Sequence, residues 1–471
     1  MRIIFIFYLL SFVLIFHLTG DVKKPNVLII SVDDMNDWVG CMGHQQALTP
    51  NIDRLAEEGM LFLDAHVAAP VCNPSRVSFY TGLHPFNSKV YENGDHMRVK
   101  NPDVITMPQY FRSHGYKADA GGKTFHDVSS HHDVMSFDSY YWWHPSGEKG
   151  SPNHGSPYSV EPDPEPIPRP HAGIAKFTKR NFDWASLDEN DRPLTHWPDY
   201  KVASWACDYL KKDHDKPFFL NVGIFRPHIP WYNPKKYVEM YPLDKIQLPP
   251  IKDDDLNDLG VFARERALDR SSKHALVKEK GLWKKAIQAY LASISFADDQ
   301  VGRVLKTLRE SRYAKNTIVV FWSDHGYHLG EKGHWHKRTL WERSTNIPLI
   351  IKAPGVTKEG TRFNLPVNAV DIYPTLLDLC GLPKKEDLDG ENLITWIDKP
   401  NQEKRTHSLT TWKKGNHAIT TKYFRYIRYH NDEEELYHKI NDPDEWNNLV
   451  KQKEFKKELE KHRKLLIEST P

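Results

Sequence analysis

The run Asn26-Val27-Leu28-Ile29-Ile30-Ser31-Val32 is of strand length, almost wholly apolar, and ends in two acids, Asp33-Asp34. A strand with no polar face must be covered on both sides, as in a parallel sheet lying between layers of helices. The pattern recurs in Phe218-Phe219-Leu220-Asn221-Val222, which runs on to Phe225-Arg226-Pro227-His228. It recurs again in Thr317-Ile318-Val319-Val320-Phe321-Trp322, which ends in Ser323-Asp324-His325-Gly326. Pro348-Leu349-Ile350-Ile351 is a fourth candidate strand. Helical segments alternate with these runs. Thr49 as cap and Pro50 as first residue predict a helix through Glu58, stopped by Gly59. A long amphipathic helix is predicted over about 282–310, and another from Asp371 to Cys380-Gly381. The alternation predicts an α/β sandwich, and open sheets of that kind place ligands at the carboxyl ends of their strands.

The 471 residues suffice for a large core and a second, smaller unit. Residues 1–20 open with Arg2, and positions 3–18 are almost wholly apolar, which predicts an export signal with a membrane anchor as the alternative. The main domain is expected over 21–395. From about 400 the composition changes. Tyr423–Tyr429 alternates like a half-buried strand, Glu435–His438 reads as a short strand, and 451–467 as a charged helix. Residues 396–471 are therefore expected to form a small antiparallel sheet with a helix. Residues 140–200, rich in Pro, Gly, His and Trp, read as a surface insertion that either shapes a cleft or is a plain loop. With 64 basic and 62 acidic side chains the charge is near balance, so no nucleic-acid partner is indicated. Four cysteines are present, Cys41, Cys72, Cys207 and Cys380.

Asp33, Asp34 and Asp324 lie at the ends of two strands that a parallel sheet can bring together. Clustered carboxylate oxygens suit calcium or magnesium; helix caps and a loop salt bridge are the other reading. Lys123 and His126, three residues apart in Gly122-Lys123-Thr124-Phe125-His126, can lie on one side of a turn, with His126 able to move a proton near neutral pH. His228 sits in a proline-flanked loop. Lys337 belongs to a basic run with Lys332, His334, His336 and Arg338, among which spacing alone makes no choice.

Cys72-Asn73-Pro74-Ser75-Arg76, followed by Thr81-Gly82, resembles the signature of the type I sulfatases, whose cysteine is oxidised after translation to formylglycine. The resemblance extends over about 25–395 through Asp33, Asp34, Cys72, Arg76, Lys123, His126, His228, Asp324, His325 and Lys337 in the family's order. Asp324-His325 stands where many members carry Asp-Asn and is similar to the iduronate-2-sulfatase branch and its bacterial polysaccharide-sulfatase relatives. The resemblance implies an alkaline-phosphatase-like sandwich with a large mixed, mostly parallel central sheet flanked by helices, plus a small C-terminal antiparallel subdomain. It implies Ca2+ held at Asp33, Asp34, Cys72, Asp324 and His325. It implies sulfate binding by Lys123 and Lys337, with Arg76 facing an anion. His126 would take a proton from the hydrated aldehyde, and His228 would be the general acid. The implied partners are a sulfated oligosaccharide or polysaccharide and, during biogenesis, a formylglycine-generating or anaerobic sulfatase-maturating enzyme. The implied location is periplasmic or secreted. Two other readings remain open: a phosphate or phosphonate ester hydrolase of the same superfamily, and a non-catalytic sulfated-glycan binding protein.

Overall fold

Every residue of strand β1 (Asn26–Val32) is buried, and that burial sets the architecture around it. The computed structural model describes residues 24–126, 132–141, 173–174, 176, 182–269, 273–394 and 407–471. The remaining strands of the main sheet are β2 (Met60–Phe62), β3 (Lys117–Gly122), β4 (Ser139–Tyr141), β5 (Phe218–Ile224), β6 (Thr317–Ser323), β7 (Leu349–Lys352) and β8 (Thr361–Phe363). Their order is β8-β2-β7-β6-β1-β5-β3-β4. The pairs β6-β1, β1-β5, β5-β3, β3-β4 and β8-β2 are parallel; β7 runs antiparallel to both neighbours. The large, mixed, mostly parallel sheet is the one expected.

Alternate residues of β1 enter two cores, as the period of a strand requires. Leu28, Ile30 and Val32 pack with the helices Pro50–Glu58, Pro198–Lys211 and Trp283–Glu310. Val27 and Ile29 pack on the other side with Cys72–Thr81, Met107–Ser113 and Ile372–Leu379. The helix at Pro50 begins where predicted, but its cap differs. The Thr49 hydroxyl donates to Asp53 Oδ1 at 3.0 Å. The free amides of Asn51 and Ile52 donate instead to the Asp298 carboxylate, at 3.1 and 2.8 Å. That acid comes from the long helix packed alongside, so the cap is a tertiary contact.

The C-terminal unit is a four-stranded antiparallel sheet, Ser408–Thr411, His417–Thr420, Phe424–Arg428 and Glu434–His438, with the terminal helix Lys456–Ser469. Leu409, Ile419, Tyr426 and Leu436 face Leu459 and Leu466 of that helix. Ala418, Ile427 and Tyr437 face Val71, Leu340 and Trp341 of the main body. The second sheet is thereby packed beside the segment that leads into Cys72. The expected export signal and the expected boundary at 395/396 lie outside the described residues, as does most of the 140–200 segment. No helix among the described residues is long and apolar enough to cross a membrane.

Register aligns the strand ends. Val32 of β1 stands opposite Ile224 of β5 and Ser323 of β6, and Gly122 of β3 stands opposite Gly223 of β5. Asp33, Lys123, Phe225 and Asp324 therefore leave the sheet along one edge. The approach at Gly223 is tight: a Cβ there would lie 2.2 Å from the Lys123 carbonyl oxygen. Gly223→Ala should force β3 and β5 apart at the point where Lys123 emerges. The expected cost is about 1–3 kcal/mol, the range for overpacking. Urea denaturation measures it, and an unchanged unfolding midpoint would contradict this account.

Candidate active site

Cys72 is the first residue of a ten-residue helix, all of it buried. The helix dipole adds partial positive charge at that end. Arg76, one turn on, lies on the same face. Its guanidinium donates from Nε to Asp324 Oδ2 at 2.9 Å and from Nη1 to the carbonyls of Lys123 and Thr124 at 2.6 and 3.0 Å. Asp33 Oδ1 lies 3.7 Å from Arg76 Nη2. Ser75 Oγ donates to the Asp324 carbonyl. One turn of helix thus ties the β1, β3 and β6 ends to Cys72.

Two lysines meet two acids beside the sulfur. Lys123 donates to Asp33, and Lys337 donates to Asp34 Oδ1 at 2.5 Å. His325 Nε2 lies 3.2 Å from Cys72 Sγ, 3.4 Å from Asp34 Oδ1 and 3.7 Å from Asp324 Oδ1. His126 makes a side-chain hydrogen bond with Cys72. His228 Nε2 approaches Asp34 Oδ2 at 3.9 Å, and its ring is about a fifth exposed, at 22%. All ten sequence-predicted positions therefore converge on one place.

Electrostatics follows from this packing. Burial alone would raise the Cys72 thiol, but Lys337, Lys123 and His325 hold it well below the ordinary thiol range. Burial pushes Cys41 and Cys380 up to about 12, with Asp53 adding to it at Cys41, and the single basic neighbour of each, Arg362 and Lys24, does not offset it. Burial opposes the charge on His325, yet Asp324 and the sulfur raise it to about 9. Burial lowers His126, which keeps its imidazole neutral and able to accept a proton. Burial would raise Asp33, but Lys123 holds it below the usual carboxylate range. Asp324 is shifted up by burial in spite of Arg76.

The ligand atoms of Asp33, Asp34, Cys72 and His325 all lie within 4.8 Å of one another. Asp33 Oδ1 and Asp34 Oδ2 are buried and accept no hydrogen bond. Two orphaned carboxylate oxygens at such a spacing fit a hard divalent cation. The Asp324 carboxylate stands beside them, occupied by Arg76 Nε and, at 3.1 Å, by the Asp34 amide. Asp34 adopts a left-handed backbone, φ 65°, an unfavourable state for an aspartate that is held by its surroundings. The chemistry available is anion binding between two lysines, with His126 and His325 at the Cys72 sulfur and His228 near Asp34 to move protons.

Sequence reasoning missed the residues that fix this geometry. The Tyr290 hydroxyl donates to the Asp34 carbonyl at 2.8 Å and accepts from the Asn36 amide at 3.0 Å. Asp199 accepts from the amides of Phe225 and Arg226, at 2.6 and 3.2 Å, and so fixes the segment that carries His228. Each lies on a helix that also supplies the core, and nothing in its neighbouring residues marks it.

Comparisons with known proteins agree with the site. The sulfatase profile matches residues 25–382, and an N-sulphoglucosamine sulphohydrolase C-terminal profile matches 330–470. A sulfatase of Formosa agariphila is 38% identical over 464 residues, covering 95% of this chain and 87% of that protein. Mouse iduronate 2-sulfatase is 34% identical over 400 residues, covering 76% of this chain and 69% of that protein. Among solved structures, the phosphonate monoester hydrolase of Agrobacterium radiobacter superposes with a TM-score of 0.73 at 22% identity, covering 95% of this chain and 95% of that one, a likeness of fold. The profile match over most of the chain, and relatives at this identity, carry one conclusion: the chain belongs to the sulfatase family.

Proposed function

We propose that this protein is a formylglycine- and calcium-dependent sulfatase that removes an O-sulfate group from a sulfated carbohydrate. Sulfate ester hydrolysis is the activity that its family and curated relatives support. The observation that carries the finer reading is the placing of Cys72, at the buried start of its helix, between Lys123 and Lys337 and in contact with His126 and His325. Export with loss of residues 1–20, a catalytic domain over 21–395 and a subdomain over 396–471 belong to the same reading. So does a maturating enzyme that acts on Cys72.

Formylglycine at position 72 supplies, as its hydrate, an oxygen nucleophile and a second hydroxyl through which sulfate can leave. Calcium would be held by Asp33, Asp34, Asp324 and His325 and would supply positive charge for a bound sulfate. Asp33 and Asp34 are now offset by Lys123 and Lys337. With those acids neutralised, Lys123 and Lys337 would bind the sulfate oxygens. Arg76 holds Asp324 and the backbone at Lys123 in place. His228 is positioned to protonate the departing sugar oxygen. His126, neutral through burial, accepts a proton from the side chain at position 72.

A phosphonate ester hydrolase is the second reading, favoured by the likeness to the Agrobacterium enzyme. The test of the first is maturation. Protein made with a maturating enzyme should release sulfate from defined sugar sulfates, with conversion at Cys72 visible by peptide mass. Cys72→Ser made in the same way should lose activity by at least about 1,000-fold, as expected for a covalent nucleophile. Equal turnover by unconverted Cys72 protein, or turnover of phenyl phosphonates alone, would refute it.

Calcium provides a second measurement. Added to chelated protein at about 100 times its Kd, it should stabilise the fold by about 2.7 kcal/mol, seen as a higher Tm. Asp34→Asn should abolish most of that shift. Elemental analysis showing two bound zinc ions would overturn the assignment.

His228→Gln keeps the side chain polar and removes the proton. Turnover of a sugar sulfate should fall about 100- to 10,000-fold. Turnover of 4-nitrophenyl sulfate, whose leaving group needs little protonation, should fall at least about tenfold less. Equal losses would remove His228 from the role of general acid.

A further inference from the structure

Lys337 is flanked by two non-glycine residues in left-handed backbone, His336 (φ 80°) and Arg338 (φ 73°). Such conformations are costly and persist only where surroundings impose them. Their effect is to send neighbouring side chains to different places. Lys337 turns inward to Asp34, while Arg338 reaches Glu92, with Nη1 3.0 Å from Oε2. The Arg338 amide donates to the Pro70 carbonyl at 3.1 Å, two residues before Cys72. Glu92 is seated on the residue after Cys72: the Asn73 side-chain amide donates to the Glu92 carbonyl at 3.1 Å, and the Asn73 amide donates to Asn93. Arg338 and Glu92 thus stand beside both the anion-binding lysine and the start of the Cys72 helix.

Two further cations arrive here from distant parts of the chain. Lys413, in the turn between the first two strands of the C-terminal sheet, lies 3.4 Å from Glu92 Oε1. Arg266, on the helix Val261–Ala267, pairs with Asp269 at 2.8 Å. Both Arg266 and Lys413 lie over the Trp412 ring, at 5.3 and 5.4 Å from its centroid. Three cations therefore face two carboxylates, a surplus of one positive charge. Burial lowers the pKa of Arg266, Asp269 opposes that, and the charge on Arg338 adds to the lowering. Two donors in this cluster, Arg266 Nε and Trp412 Nε1, are buried and meet no acceptor, against one buried acceptor, Glu92 Oε1, that receives no hydrogen bond. Arg338 and Lys413 keep 36% and 51% of their side chains open to solvent. A surplus of one cation, one more unused donor than unused acceptor, and an open side make a site short of one anion.

We propose that Arg338, Lys413 and Arg266 form a subsite for a second anionic group of the substrate, a carboxylate or a second sulfate on the sugar that carries the scissile ester or on the next one. This rests on the reading of the protein as a sugar sulfatase. The C-terminal subdomain, through Lys413, then takes part in substrate selection. Glu92 holds the cations in position when the subsite is empty and yields them to the incoming group.

The test uses the matured, calcium-loaded full chain and two pairs of probes. One pair is a 2-O-sulfated uronate disaccharide and its carboxyl methyl ester. The other is a disulfated and a monosulfated galactoside. Arg338→Gln and Lys413→Gln should each lower kcat/KM on the doubly charged member at least about tenfold more than on the singly charged member, the scale of one charge-assisted hydrogen bond. The pair that responds identifies the anion. Equal losses on both members of each pair, or no loss on any, overturn the subsite. Calorimetric binding of the same probes to Cys72→Ala protein provides a readout independent of turnover. If no probe is hydrolysed but Arg338→Gln still removes a preference for the doubly charged sugar, the sulfatase reading fails and the subsite stands. If binding shows no such preference, the subsite fails whatever the turnover.

Discussion

A guanidinium without access to water holds this site together. Arg76 is fully buried; its Nε and Nη1 donate to the Asp324 carboxylate and to the carbonyls of Lys123 and Thr124, while Nη2 is buried without a hydrogen-bond partner, 3.7 Å from Asp33 Oδ1. These partners stand at the ends of β6 and β3, and Asp33 at the end of β1 lies close by. A buried pair of this kind adds little net stability over an apolar replacement, but removing one partner strands the other, at a cost of about 3–5 kcal/mol. What Arg76 contributes is position. It fixes the start of the Cys72 helix against three strand ends at once, and every other distance in the site follows from that docking.

Charge compensation in the site is arranged in layers. Asp324 belongs to Arg76, and Asp33 and Asp34 lean on Lys123 and Lys337. Each lysine pairs with an acid that a divalent cation could take over, whereas Arg76 is also tied to two backbone carbonyls that it could not. That asymmetry separates a structural cation from two exchangeable ones. It also accounts for the state of Cys72. Its sulfur sits where the field is built for an anion, so the thiol is acidic in spite of complete burial, while Cys41 and Cys380 are not.

Much of this was legible in the chain because the decisive strands are buried on both faces. Asn26–Val32, Phe218–Ile224 and Thr317–Ser323 advertise themselves as unbroken apolar runs, and the acids and loops that follow mark their carboxyl ends. The ten site positions came from the resemblance to a family, and the structure brings them together. What local pattern could not supply was contact between remote segments. Asp298 caps a helix 247 residues away, a role the sequence reading gave to Thr49. Tyr290 and Asp199 are ordinary helix residues until the fold aims them at Asp34 and at the His228 segment. The meeting of Arg338 with Glu92 and Lys413 is of the same kind, since only packing of the C-terminal sheet against Val71 and Leu340 brings those three charges together.

The likeness in fold to a phosphonate monoester hydrolase shows how little the scaffold alone decides. A parallel sheet with aligned strand ends can hold carboxylates, a metal and a tetrahedral anion of phosphorus or of sulfur. Sulfate and phosphonate monoesters carry one negative charge and phosphate monoesters close to two at neutral pH. A site for a singly charged ester therefore needs fewer cations at the reacting centre. Here Lys123 and Lys337 remain at that centre once Arg76 is committed, and the remaining basic side chains, Arg338, Lys413 and Arg266, stand apart at the rim. Charge placed there cannot assist bond breaking. On the proposed reading it selects what is attached to the ester, which separates the charge at the reacting centre from the charge of the proposed subsite.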